Sequence, residues 1–207
     1  MPEDLPIYSD SMLRTRLQFA GLEPLKDRDV NTAWLKSDKN LERVEGAANI
    51  GQARQMVNEL TKAGLLQMHA IVFKERAGAG ELRHGAIKPR YRGQDCPAPQ
   101  FIERSLDNFF KWLTAESMAE IHPIERAALV LTRVADIWPF EFGNLTMSIV
   151  AANFVLRDAS FAPFYVRREH AKEFETVIAQ AMTIETQPLV NAIYNTIKRE
   201  MEALASG

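Results

Sequence analysis

Ile137–Arg157 reads IWPFEFGNLTMSIVAANFVLR. From Phe142 to Leu156 it carries no charged side chain, and its apolar residues fall nearly all the way round a helical projection. A helix of that kind is buried on every side, and this one is too short to cross a bilayer. Trp138-Pro139 ends the element before it, because a residue preceding proline is driven out of the helical region. Gly143-Asn144 then supplies a tight turn whose amides open the next helix. The unpaired N–H groups and dipole of such a helix start suit an anion.

The segments on either side are helical as well. Ile124, Ala127, Ala128, Leu131, Val134 and Ala135 recur at spacings of three and four, which predicts a helix over 123–137. Phe174, Val177, Ile178, Ala181 and Met182 do the same for 169–182, and further helices are expected over 100–115 and 188–204. Upstream, a helix is expected over 50–63, with Met56, Val57 and Leu60 as its apolar face and Gly64 as its stop. Another over 65–76 carries Leu65, Met68, His69, Val72 and Phe73 near one face. Ser9-Asp10-Ser11 offers caps for a short helix through Phe19, and 21–49 reads as loop. Between Ala77 and Pro99, Gly78, Gly80, Gly85, Pro89, Gly93 and Pro97 break the helical period. That stretch reads as a hairpin or edge strand. The expected fold class is all-α, a helical bundle with one small β-hairpin flap.

Nothing in the 207 residues reads as a linker, so a single domain over 1–207 is expected, with 1–64 as N-terminal helices, 65–189 as the core and 190–207 as a C-terminal helix. The net charge of −2 argues against a surface that coats nucleic acid. One cysteine, Cys96, excludes an internal disulfide and fits a reducing compartment. The start, MPEDLPIYSD, has no apolar run, so neither signal peptide nor membrane anchor is expected, and the expected location is cytoplasmic.

Trp138, Pro139, Phe140, Gly143 and Asn144, following Ile137, resemble the signature of the Fic/Doc (Fido) family, His-Pro-Phe-x-acid-Gly-Asn-Gly-Arg-x-x-Arg. His122–Ala128 one helix upstream and Ala79-Gly80-Glu81-Leu82-Arg83 before the flap extend the likeness over roughly 65–189. The resemblance implies a helical bundle with a flap, and transfer of AMP from ATP to a protein hydroxyl. It also implies roles for the signature positions. The family's general base is a histidine where this chain has Trp138, whose indole N–H only donates. Its Mg²⁺-binding acid falls at Phe142, its next glycine at Leu145, and its two phosphate-binding arginines at Thr146 and Ile149. General-base catalysis contributes about 10²–10⁴-fold, and a metal supplies several kcal/mol of charge neutralisation, so these departures point to a degenerate motif. Trp138 reads as an extension of the 124–135 apolar face.

Two readings of the turn stay open. Glu141, one position before the missing acid, could substitute as base or ligand, or could simply be a solvated or capping carboxylate at a helix start. Gly143, Asn144 and Thr146 could still bind a nucleotide phosphate or another anion. The family's inhibitory segment, Ser/Thr-x-x-x-Glu-Gly/Asn, is matched at Glu45-Gly46 and not at Leu41. Between Lys74 and Arg92 six Lys/Arg stand against two Glu, so the flap is basic. In the family this flap aligns a target segment by strand pairing. That makes Arg83, Ile87, Lys88, Arg90 and Tyr91 candidates for a protein partner; the alternative is a charged edge that avoids aggregation. The four histidines stand singly with no ligand spacing, so no metal site is expected.

The expected function is therefore that of a pseudoenzyme on a Fic-like fold, acting through a protein partner at the flap. It would use no cofactor and contact neither membrane nor nucleic acid; homo-oligomerisation is left open. The first alternative is an active nucleotidyl transferase rewired around Glu141, with ATP and Mg²⁺. The second is a nucleotide or phosphate sensor.

Overall fold

The computed structural model describes residues 47–87, 96–166, 170–183 and 185–205. The expected helix through Phe19, nearly all of the 21–49 loop, and 88–95 of the flap lie outside these residues. Among the described residues the chain is all-helical: α1 (Ala47–Met56), α2 (Lys62–Val72), α3 (Pro99–Leu113), α4 (Glu116–Ala119), α5 (Pro123–Ile137), α6 (Asn144–Asp158), α7 (Ala171–Met182) and α8 (Gln187–Ala205). No described helix is long and apolar enough to cross a membrane.

The core is built on α5 and α6, which share the broadest helix–helix contact among the described residues. α5 opens with Pro123 in its first turn, where a missing N–H costs nothing, and His122 accepts from the Ile124 amide through Nδ1 at 3.3 Å. Ala127 and Ala128 on α5, and Ala151 and Ala152 on α6, are fully buried. Small side chains of this kind let helix axes approach closely. The uncharged run of α6 is buried as its sequence requires, from Ala151 through Leu156 without interruption. α2 packs on α6, α3 on α5, and α7 and α8 on α5.

Two asparagines bind the chain at either end of α6. The side-chain amide of Asn144 accepts from Phe140 N–H at 2.8 Å and donates to Phe140 O at 2.7 Å. Asn153 does the same with Phe164, at 3.0 and 2.9 Å. Each amide takes the part of a peptide group and satisfies backbone polar atoms that burial would otherwise leave unpaired.

Three expectations are corrected. Helix α1 ends at Met56 rather than Ala63, and Gly64 lies in the first turn of α2 rather than stopping a helix. Thr61 prevails over it: its Oγ1 accepts from Gly64 N–H at 3.0 Å, an N-cap. Gly64 is needed for a close approach, since a Cβ there would stand 2.2 Å from the Glu59 carbonyl oxygen. Met56, expected on an apolar face, is 54% exposed at the end of the shortened helix. The expected hairpin is a different case: no strand occurs among the described residues, where 77–87 and 96–98 are turns and irregular chain, and its middle, 88–95, lies outside them.

Candidate functional site

The turn between α5 and α6, residues 138–143, is held in an unusual backbone path. Trp138 caps α5 in the left-handed region, φ 49° and ψ 61°, and its N–H donates to Val134 O at 3.0 Å. This conformation costs a residue with a Cβ about 1–2 kcal/mol. The chain leaves the helical path at this residue, so Trp138 is half-buried rather than a continuation of the α5 core face. Gly143 caps α6, also left-handed at φ 68°. A Cβ on Gly143 would lie 2.3 Å from Cε2 and Cζ of Phe73, so only glycine fits both the conformation and the space.

Beneath the turn lies His69 of α2, fully buried. Its ring stacks on Phe140 with centroids 3.8 Å apart and planes 7° apart, and it is flanked by Phe73 at 4.8 Å and Phe142 at 5.1 Å. The Gly80 amide donates to Nδ1 at 2.8 Å. An amide N–H can only donate, so Nδ1 is the unprotonated nitrogen and Nε2–H donates to the Phe142 carbonyl at 3.2 Å. Burial, with a further push from the nearby Arg76 charge, lowers the pKa to about 4 despite the opposing effect of the Phe142 carbonyl.

The same turn grips the chain that leads into the flap. Arg83 is only 2% exposed. Its Nε donates to Trp138 O at 2.7 Å, and its two terminal nitrogens donate to Gly85 O at 2.8 Å and Pro97 O at 2.5 Å. The Arg83 amide donates to Pro139 O at 2.9 Å. Three carbonyls thus solvate a buried guanidinium in place of a carboxylate. Arg83 therefore faces inward, which corrects its expected place on a partner surface. Glu141 Oε1 accepts from the His84 and Gly85 amides at 3.1 and 3.2 Å. Glu141 is exposed, as a solvated carboxylate would be, and instead of capping α6 its Oε1 tethers the flap root.

At the remaining signature positions, Phe142 is half-buried, edge-on to Phe73 at 5.4 Å and covered by the Arg76 guanidinium, 3.7 Å from its centroid. Leu145 and Ile149 are half-buried against the core. Thr146 is half-buried in the first turn of α6, and the Asn144 side chain is spent on Phe140. A nucleotide with Mg²⁺ requires oxygen ligands and cations. The turn offers an indole, a phenyl ring, a hydroxyl and aliphatic groups, with its one carboxylate bonded to two amides. These residues do not fit that group, and no cluster of three metal-binding side chains occurs among the described residues. Ile87 is half-buried at the edge of the described chain, whereas Glu45, Gly46, Lys88, Arg90 and Tyr91 lie outside it. A cavity of about 490 Å³, between residues 164–166, α7 and α8, shares no residue with the turn.

His69 and Arg76 were not singled out by the sequence as parts of this site. A histidine alone on an apolar helix face was the only available signal.

Comparison with known proteins bears directly on this turn. The Fic/DOC family matches residues 59–156. A protein adenylyltransferase Fic of Nematostella vectensis is 28% identical over 107 residues, 52% of this chain and 25% of that protein. Protein adenylyltransferase fic-1 of Caenorhabditis elegans is 26% identical over 139 residues, 66% of this chain and 27% of that one. The matched region thus spans about a quarter of these relatives' length. Among solved structures, a Fic domain containing signaling protein from Bacteroides thetaiotaomicron superposes with a TM-score of 0.71 at 16% identity, covering 94% of this chain and 95% of the other. Fic-1 (residues 134–508) from C. elegans gives 0.69 at 18%, covering 95% and 71%. In its helical fold, and over residues 59–156 that include the turn between α5 and α6, this chain is similar to the Fic/DOC family.

Proposed function

We propose that this chain is a Fic protein that has given up nucleotidyl transfer by the family's chemistry and works by binding a protein partner through the flap. One observation carries the reading. The position of the family's metal-binding acid holds Phe142, packed against His69 and Phe73 and covered by Arg76. A phenyl ring there supplies no ligand and takes up the space. The carboxylate next to it, Glu141, is engaged with the flap root, which speaks against the rewired-transferase alternative. A partner segment would pair with the flap strand to strand, and the positive charges of Lys88 and Arg90 would favour an acidic one.

The test is thermal unfolding with millimolar ATP, GTP, UTP and CTP, each with Mg²⁺, beside a label-transfer assay from ATP. A ligand at about 100 times its Kd stabilises by roughly 2.7 kcal/mol, and each kcal/mol moves Tm by about 2–4 °C for a chain of this size. No shift and no transfer are expected. A Mg²⁺-dependent rise in Tm, with label transfer abolished by Glu141→Ala, would overturn the reading in favour of the active enzyme.

A further inference from the structure

The flap root, residues 78–87, is fastened to the signature turn at three points: Gly80 through His69, Arg83 through Trp138 and Pro139, and His84-Gly85 through Glu141. The His69 fastening differs from the others in chemistry. It works only while Nδ1 carries a lone pair, because the Gly80 amide must donate into it. A proton on Nδ1 leaves two N–H groups facing each other. It also places a cation in a fully buried slot between Phe73, Phe140 and Phe142. We propose that His69 is an acid-operated latch, whose protonation releases the Gly78–Ile87 segment from the signature turn while the helical core stays folded.

The surroundings favour release over accommodation. Charged groups come from three directions: Arg76 just beyond α2, Glu81 and Arg83 on the flap root, and Glu141 on the turn. Arg83 is committed to carbonyls and Glu141 to amides, and Glu81 is exposed; the first turn of α6 carries no acidic residue. Among the described residues no carboxylate pairs with His69, and the Arg76 charge disfavours an imidazolium there. A buried uncompensated charge is expelled rather than tolerated. Gly80 sits at φ 84° with little room, its hypothetical Cβ 2.9 Å from Ala70 Cβ, so the segment is seated on α2 at this point. Breaking the His69 contact removes the hydrogen bond that holds the segment where it sits on α2. Gly78, also at positive φ, supplies a backbone hinge next to it.

Hydrogen exchange of the whole chain between pH 7.5 and 5, corrected for intrinsic rates, tests this. With a closed-state pKa of about 4 and an open-state value of 6.5, linkage predicts that protection across 78–87 falls roughly 30-fold over that range. Protection in α5 and α6 is expected to stay well above that of 78–87 at both pH values, because the segment opens while the core is folded. The Glu141→Gln variant should keep the pH response and His69→Gln should lose it. Imidazole ¹⁵N shifts of the unmodified protein provide a readout that does not depend on a variant folding: Nε2–H at neutral pH, with a titration that tracks loop opening. Protection of 78–87 equal to that of α5 and α6 (opening only by global unfolding), a response that survives His69→Gln, or a His69 titration that does not follow opening would each overturn the latch.

Discussion

Gly143→Ala is expected to destabilise the protein by about 2–5 kcal/mol, for two separable reasons. The first is local: φ is 68°, and a residue with a Cβ pays about 1–2 kcal/mol there. The second is packing. The new Cβ would stand 2.3 Å from two ring carbons of Phe73. That ring is 3% exposed and wedged between His69 and Phe142, so it cannot swing clear without disturbing both. Overpacking of this kind costs about 1–3 kcal/mol. Phe73→Leu removes the two clashing carbons and leaves only the backbone cost of the alanine. A double-mutant cycle by urea unfolding, compared through midpoints at constant m, should therefore give a coupling energy of about 1–3 kcal/mol between the two sites. A loss below about 1 kcal/mol for Gly143→Ala, or effects that add to within about 0.5 kcal/mol, would refute the packing account of the signature turn.

Other consequences follow from the same contacts. Arg83→Met should cost about 2–4 kcal/mol in urea unfolding, because three carbonyls lose a charged donor, and hydrogen exchange should speed up across 81–87. Asn144→Ala leaves the N–H and O of fully buried Phe140 unpaired; a loss of about 2–3 kcal/mol is expected, with Asn144→Asp falling between, since it keeps the acceptor. His69 makes global stability pH-dependent: the unfolded imidazole takes its proton near 6.5 and the folded one near 4, so between these values the unfolded chain binds more protons. Its contribution of about 3 kcal/mol is complete above pH 6.5 and is lost as pH falls to about 4; His69→Gln should flatten that slope in a pH series of unfolding curves. Thr61→Ala should cost about 1 kcal/mol in thermal unfolding by uncapping α2.

The helices that could be read from sequence were those whose apolar residues repeat without competition. The periodicity of 123–137 matches α5 to the residue, and the uncharged run after Gly143 is α6. Reading failed where two local signals conflict. Gly64 looks like a helix stop, but Thr61 three residues earlier is a better start, and the choice depended on a hydrogen bond. α4 spans only Glu116–Ala119, too short to show a period. In the site, the identities at 138, 142, 145, 146 and 149 could be aligned with the family signature directly, because the Pro-Phe and Gly-Asn pairs fix the register. What those side chains do could not. Arg83 reads as a surface cation in a basic stretch, and Glu141 as a solvated or capping carboxylate, with base or ligand as the alternative. Neither reading contains the carbonyls and amides that bind them, which come from 2 to 57 positions away.

The sequence by itself determined the helical class, the likeness to the family signature and the residue types at the turn, since each rests on residue type and short-range spacing. Only the tertiary structure decided that His69 is neutral and bonded through both nitrogens, that Arg83 is buried, and that Glu141 is a tether. Protonation and hydrogen bonding depend on which dipoles lie within 3 Å of a group and whether water can reach it. Those conditions are created when α2, the flap root and the α5–α6 turn come together.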